Sequence, residues 1–234
     1  RGKIITMTLL NSIPPGLILI LGAIVLLLLP ATARKAGAIG LAALGFFAIS
    51  QLEDGSRLSP SFLGFDLTLL RVDATSKAFG YIFTLCAVAA FIFSWHEKRR
   101  AENTAALVYI GSALGVVFAG DMITWYVCWE LMAIASTFLI LARKTKKSLK
   151  AAQRYILVHL AGGLILLTGI LLTVHKTSSI AFNEFPKGEI GSWFILIGIL
   201  INAAAVPFSS WLPDAYPESR SEERRVGKEC RSRW

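Results

Sequence analysis

The chain has 234 residues, 55% of them hydrophobic and only 17% charged, and the charges gather in short clusters between long apolar runs. That is the composition of a polytopic membrane protein. The formal net charge of +9 does not argue for nucleic acid as a partner, because the basic residues border apolar spans, where membrane topology and anionic lipid headgroups account for them.

In chain order, the residues before Met7 carry no cleavable-signal layout, and Arg1 is not an initiator, so the sequence reads as a fragment or as a chain starting at Met7. Apolar windows then predict an all-α bundle of about seven transmembrane spans, near 15–29, 36–51, 73–95, 104–120, 122–142, 152–174 and 192–211. Each is close to the roughly 20 residues a bilayer requires. Between the second and third, the stretch 61–79 is interrupted by Asp66, Arg71, Asp73 and Lys77 and reads as an interfacial amphipathic lead-in.

The loops set an orientation. Arg34 and Lys35, then Lys98, Arg99 and Arg100, then Arg143, Lys144, Lys146, Lys147 and Lys150 follow odd-numbered spans, whereas the alternate loops hold mixed charge, including Glu53, Asp54, Glu184 and Glu189. The positive-inside rule therefore places the N-terminus outside and the loop after the fifth span in the cytoplasm. The last fifteen residues, 220–234, turn abruptly polar and basic. They read as the conceptual translation of a sequencing adapter, a non-native tail outside the fold.

Four residues stand out for chemistry. Glu130 is the one carboxylate inside the fifth span. Counted at 1.5 Å per residue it lies roughly 18 Å from the inner boundary, close to the midplane, where a buried acid implies function. Pro207 lies in the inner third of the seventh span, removes a helical donor and frees the carbonyl of Ala203. Asn202 stands just before that weak point, within about one helical turn of Glu130 in depth, and the two would meet if the fifth and seventh spans packed together. His159, about two turns into the sixth span, is a candidate relay between the cytoplasm and the midplane. Gly162 and Gly163 imply close helix packing rather than a ligand loop. The three cysteines show no metal or disulfide spacing, and no dinucleotide, Walker or iron–sulfur motif occurs, so no cofactor and no metal is expected and any redox chemistry lies elsewhere.

The stretch WYVCWELMAIASTFLI at 125–140 and the stretch PFSSWLPDAYPES at 207–219, with Asp73, Ala152 and Tyr155, resemble the antiporter-like membrane subunits shared by respiratory complex I, membrane-bound hydrogenases and Mrp-type sodium/proton antiporters. The ending Ala215 to Glu218 is similar to the antiporter and hydrogenase branches, and the chain as a whole resembles the D-type component of Mrp antiporters. The resemblance implies two inverted repeats, each with a broken helix and a charged residue on a proton path, of which this chain holds the N-terminal half. Residues 1–103 would carry three leading spans and 104–219 the start of the proton-translocating domain. It also implies a role for Glu130 as the acid that couples to a lysine five positions before the proline. Here that position is Asn202, and the histidine often found two after the proline is Ser209. Function then reads as proton, or sodium/proton, translocation in a multisubunit antiporter of the prokaryotic inner membrane, with other membrane subunits and the bilayer as partners. A proton-pumping subunit of an NADH:quinone or hydrogenase-type oxidoreductase and a non-conducting scaffold are the alternatives.

Overall fold

A computed structural model describes residues 13–55, 57–62, 64–96, 100–182 and 188–218. The tail 220–234, read above as non-native, lies outside them. Eight α-helices run through the described residues: α1 (Pro15–Leu27), α2 (Ala31–Gln51), α3 (Ala74–Phe93), α4 (Arg100–Phe118), α5 (Met122–Leu141), α6 (Lys146–Thr177), α7 (Ile190–Asn202) and α8 (Leu212–Glu218). Four of them, α2, α3, α5 and α6, are long and apolar enough to cross a membrane, while α1, α4 and α7 are shorter apolar helices. At 1.5 Å per residue the 13 residues of α1 and of α7 reach only about 20 Å, short of a bilayer's roughly 30 Å core.

Many large apolar side chains point outward, among them Leu28, Leu85, Phe93, Leu157 and Leu164. An aqueous protein would not leave so much apolar surface uncovered, and a lipid-facing one does. Inside, helices approach through small residues. A Cβ on Gly16 of α1 would stand 2.9 Å from the backbone nitrogen of Gly115 in α4, and one on Gly198 of α7 would stand 2.8 Å from that of Leu166 in α6. Those glycines let backbones come within van der Waals reach, which is how helices gain contact where lipid is as apolar as leucine. Helices α1 to α4 share one buried cluster built on Leu19, Ala38, Leu107, Leu114 and Phe118. Helix α6 then packs along both α5 and α7.

The structure corrects the sequence reading in three places. The lead-in to α3 is not an amphipathic helix. It is a doubled-back pair of two-residue ladders, β1 (Arg57–Leu58) with β4 (Leu70–Arg71) and β2 (Ser61–Phe62) with β3 (Phe65–Asp66), both antiparallel. The pairing satisfies main-chain groups of a segment that forms no helix of its own. Helix α6 begins at Lys146, not near 152, because Thr145 and Ser148 form a capping box in which each side chain accepts the other's backbone N–H. Part of the basic run is thus the first turns of a 32-residue helix.

The third correction concerns the seventh span, which does not continue through Pro207 as a kinked helix. It ends at Asn202. Ala204 takes a left-handed backbone (φ 54), the N–H of Ala205 bonds back to the carbonyl of Leu200 at 2.9 Å, and a 3-10 turn, Phe208–Trp211, leads into α8. Pro207 brings no N–H and its ring would clash with the carbonyl of Ala203, so the helix stops upstream of it.

The start of α3 has its own lock. Asp73 and Ser76 form a capping box. Backbone and hydroxyl bonds from Ser76, with Arg71 nearby, hold the Asp73 carboxyl below its ordinary range against a smaller desolvation effect.

Candidate functional site

Three of the four candidate residues converge on one face of α6, and two adjacent glycines make this possible. Gly162 and Gly163 are consecutive, so their missing side chains open two niches about 100° apart around the helix. Asn202, the last residue of α7, seats its amide in the first: a Cβ on Gly162 would lie 2.7 Å from its Oδ1 and 3.1 Å from its Cγ. Glu130, in the middle of α5, fills the second: a Cβ on Gly163 would overlap its Oε1 and lie 2.8 Å from its Cδ. The acid and the amide are therefore brought to neighbouring positions by α6 standing between their helices, not by α5 packing directly on α7. Pro207 enters through the backbone. Its part is the break that ends α7 at Asn202.

His159 is one turn along α6, three and four residues before the glycines and so on the same face. It is 7% exposed, as are Asn202 and Trp211. Its ring lies against Tyr155, with centroids 4.1 Å apart and planes 33° apart, and meets the edge of Trp211 at 4.7 Å. Trp211 closes the set by an edge contact with Tyr155 at 5.2 Å, and its Nε1 donates to the carbonyl of Ile201 at 3.3 Å. The Tyr155 hydroxyl is 2.6 Å from Ser136 Oγ on α5.

The group is polar but unsaturated. Among the described residues, Glu130 Oε1, both ring nitrogens of His159 and both polar atoms of the Asn202 amide are buried without a hydrogen-bond partner. Each such atom costs about 1 to 3 kcal/mol if nothing meets it. Thr137, two turns along α5 from the acid, spends its hydroxyl on the carbonyl of Ala133 at 2.8 Å. No cluster of three or more His, Cys, Asp and Glu side chains occurs among the described residues.

Residues 119–221, which contain this whole site, match the family model described as NADH:quinone oxidoreductase/Mrp antiporter, membrane domain. These residues belong to that family.

Relatives of the antiporter-like family fall in all three of its branches. Over 180 residues the chain is 28% identical to hydrogenase-4 component B of Escherichia coli, covering 71% of this chain and 27% of that protein. It is 30% identical over 169 residues to Na(+)/H(+) antiporter subunit A1 of Staphylococcus haemolyticus, covering 65% and 21%. With NADH-quinone oxidoreductase subunit M of Buchnera aphidicola the identity is 33% over 156 residues, covering 58% and 31%.

Among solved structures, a chain of the archaeal membrane-bound sulfane sulfur reductase superposes with a TM-score of 0.76 at 20% identity, over 92% of this chain and 48% of that one. A chain of the Mrp complex from Dietzia superposes with a TM-score of 0.70 at 25% identity, over 90% and 25%. The antiporter-like fold is thus shared with subunits of multisubunit membrane complexes. The chain spans less than a third of the length of the relatives named here.

Three site residues were not legible as such in the sequence: Ser136, Tyr155 and Trp211. The four-residue spacing of Tyr155 and His159 on a helix signals their contact. Nothing in the spacing of Ser136 or Trp211 announces that they meet the same ring from other elements. Asp121 was missed as well. It is 1% exposed and caps α5 by accepting from the backbone nitrogens of Ile123 at 2.9 Å and Thr124 at 2.8 Å. Its other oxygen accepts from the Thr124 hydroxyl at 2.6 Å and from the backbone nitrogen of Thr68 at 2.7 Å. That fixes the helix carrying Glu130 against the ladder segment.

Proposed function

We propose that this chain is part of a proton-translocating membrane subunit in which Glu130 is the central acid, His159 the relay and Asn202, at the break before Pro207, the polar anchor between them. The observation that carries this reading is the gathering of unpartnered Glu130, His159 and Asn202 atoms around Gly162 and Gly163. Such atoms in a low-dielectric interior are met by bound water, and water bridging an acid, an imidazole and an amide is a path for protons. Asn202 contributes as donor and acceptor at once, so it orders water of either orientation.

On this reading α1 to α7 mark seven spans, the short α1 and α7 being completed by the residues that flank them, with the N-terminus outside and the start of α6 in the cytoplasm. The subunit works with other membrane subunits in a prokaryotic membrane and moves protons, with or without exchange for sodium. A lysine absent at Asn202 favours a second reading, a non-conducting scaffold, because no fixed cation is there to couple to Glu130.

The deciding experiment compares proton flux in vesicles holding the full-length protein in its assembly, with and without Glu130→Gln. A loss of about ten-fold or more is expected for a central proton-transfer group. Unchanged flux would remove Glu130 from the mechanism and leave the scaffold. For topology, a single cysteine in place of Lys147 should react with an impermeant maleimide only from the cytoplasmic side. Labelling from outside would invert the orientation.

A further inference from the structure

We infer that Tyr155, held by its hydrogen bond to Ser136, is the positioning residue that sets the His159 ring for proton exchange. The inference rests on the reading of His159 as a relay. A histidine is ordinarily fixed by a hydrogen bond from one ring nitrogen, which commits its tautomer. His159 has no such bond on either nitrogen among the described residues. Its orientation is set by packing alone, between the face of Tyr155 and the edge of Trp211. That arrangement suits a relay, because a ring that gains a proton on one nitrogen and gives one up from the other needs both free to meet water.

Packing can fix the ring only if its walls are themselves fixed, and each wall is tied to a different helix. Trp211 donates to the carbonyl of Ile201 in α7 at 3.3 Å. Tyr155 is tied to α5 through Ser136 at 2.6 Å. Ser136 Oγ also lies 2.9 Å from the carbonyl of Ala133 in its own helix, so the residue that meets the Tyr155 hydroxyl is itself anchored to α5. Ser136 is six residues along α5 from Glu130, so the helix that carries the acid also holds the wall of the histidine.

The test uses the full-length protein in its assembly, reconstituted in vesicles, with proton flux and thermal unfolding measured for Tyr155→Phe, Ser136→Ala, Ser136→Thr, His159→Gln and the combinations. Tyr155→Phe and Ser136→Ala should each lower flux about three- to ten-fold, with the unfolding temperature lowered only by the few degrees that one hydrogen bond accounts for. The pair together should lose no more than either alone, and Ser136→Thr should restore most of the flux. In a His159→Gln background, Tyr155→Phe should change nothing further, which a purely structural role would not produce. Wild-type flux in Tyr155→Phe, or a further loss in the His159→Gln background, would overturn the inference. Wild-type flux in His159→Gln would overturn it too, since no transfer would remain to be positioned for, while Glu130→Gln decides the proposed function separately.

Discussion

Replacing Gly163 by alanine is expected to lower proton flux about ten- to hundred-fold, the range for a reacting group displaced by about an ångström, while leaving α6 folded. Two effects oppose each other, and their sizes decide the outcome. Alanine is the better helix former by about 1 kcal/mol, so the helix itself should gain. The added Cβ, however, would overlap Glu130 Oε1 and lie 3.0 Å from Oε2. The obstructed atoms are the far end of a flexible side chain, so the carboxylate swings out of its niche and the backbone stays. Gly162→Ala should act on Asn202 in the same sense but less strongly, because its nearest polar contact, at 2.7 Å, requires a smaller shift. Full flux from Gly163→Ala with a normal unfolding temperature would show that the acid does not work from this niche.

What the sequence makes legible here is what a single residue reveals by being out of place. Glu130 is conspicuous because a carboxylate in an apolar run has no bland surroundings, and the same contrast marks His159, Asn202 and Pro207. What it conceals is set by contact across elements. The importance of Gly163 appears only when α5 is laid against α6. The position of the break is hidden for a related reason. A proline announces that a helix is disturbed, but the sequence does not say that Ala204 takes a left-handed turn and that α7 stops at Asn202, five residues upstream. The stop places an amide at a helix end next to the niche of the acid, where the sequence implied a break at Pro207 but not its position. The ladders between 57 and 71 escaped for want of length, since two-residue strands carry no alternation to read.

Asp121→Ala is expected to destabilise the protein by about 3 kcal/mol, the sum of a lost helix cap and one buried backbone N–H left unmet. The carboxylate ties α5 to the ladder segment with both of its oxygens. Oδ1 serves the first turn of α5 through Ile123 and Thr124, and Oδ2 reaches Thr68, 53 residues earlier in the chain. Asparagine would keep the first pair of bonds, because its amide retains one acceptor oxygen, and would lose the second, so Asp121→Asn should cost about half as much. Neighbouring backbone bonds, Gly120 to Thr68 at 2.8 Å and Met122 to Ile180 at 2.9 Å, remain in both variants and keep the start of α5 in place. The damage should therefore localise: limited proteolysis of Asp121→Ala in detergent should cut first between 57 and 71, ahead of global unfolding. A variant as resistant as the wild type would show that the backbone pairs alone hold this junction, and that the position of Glu130 does not depend on the cap below it.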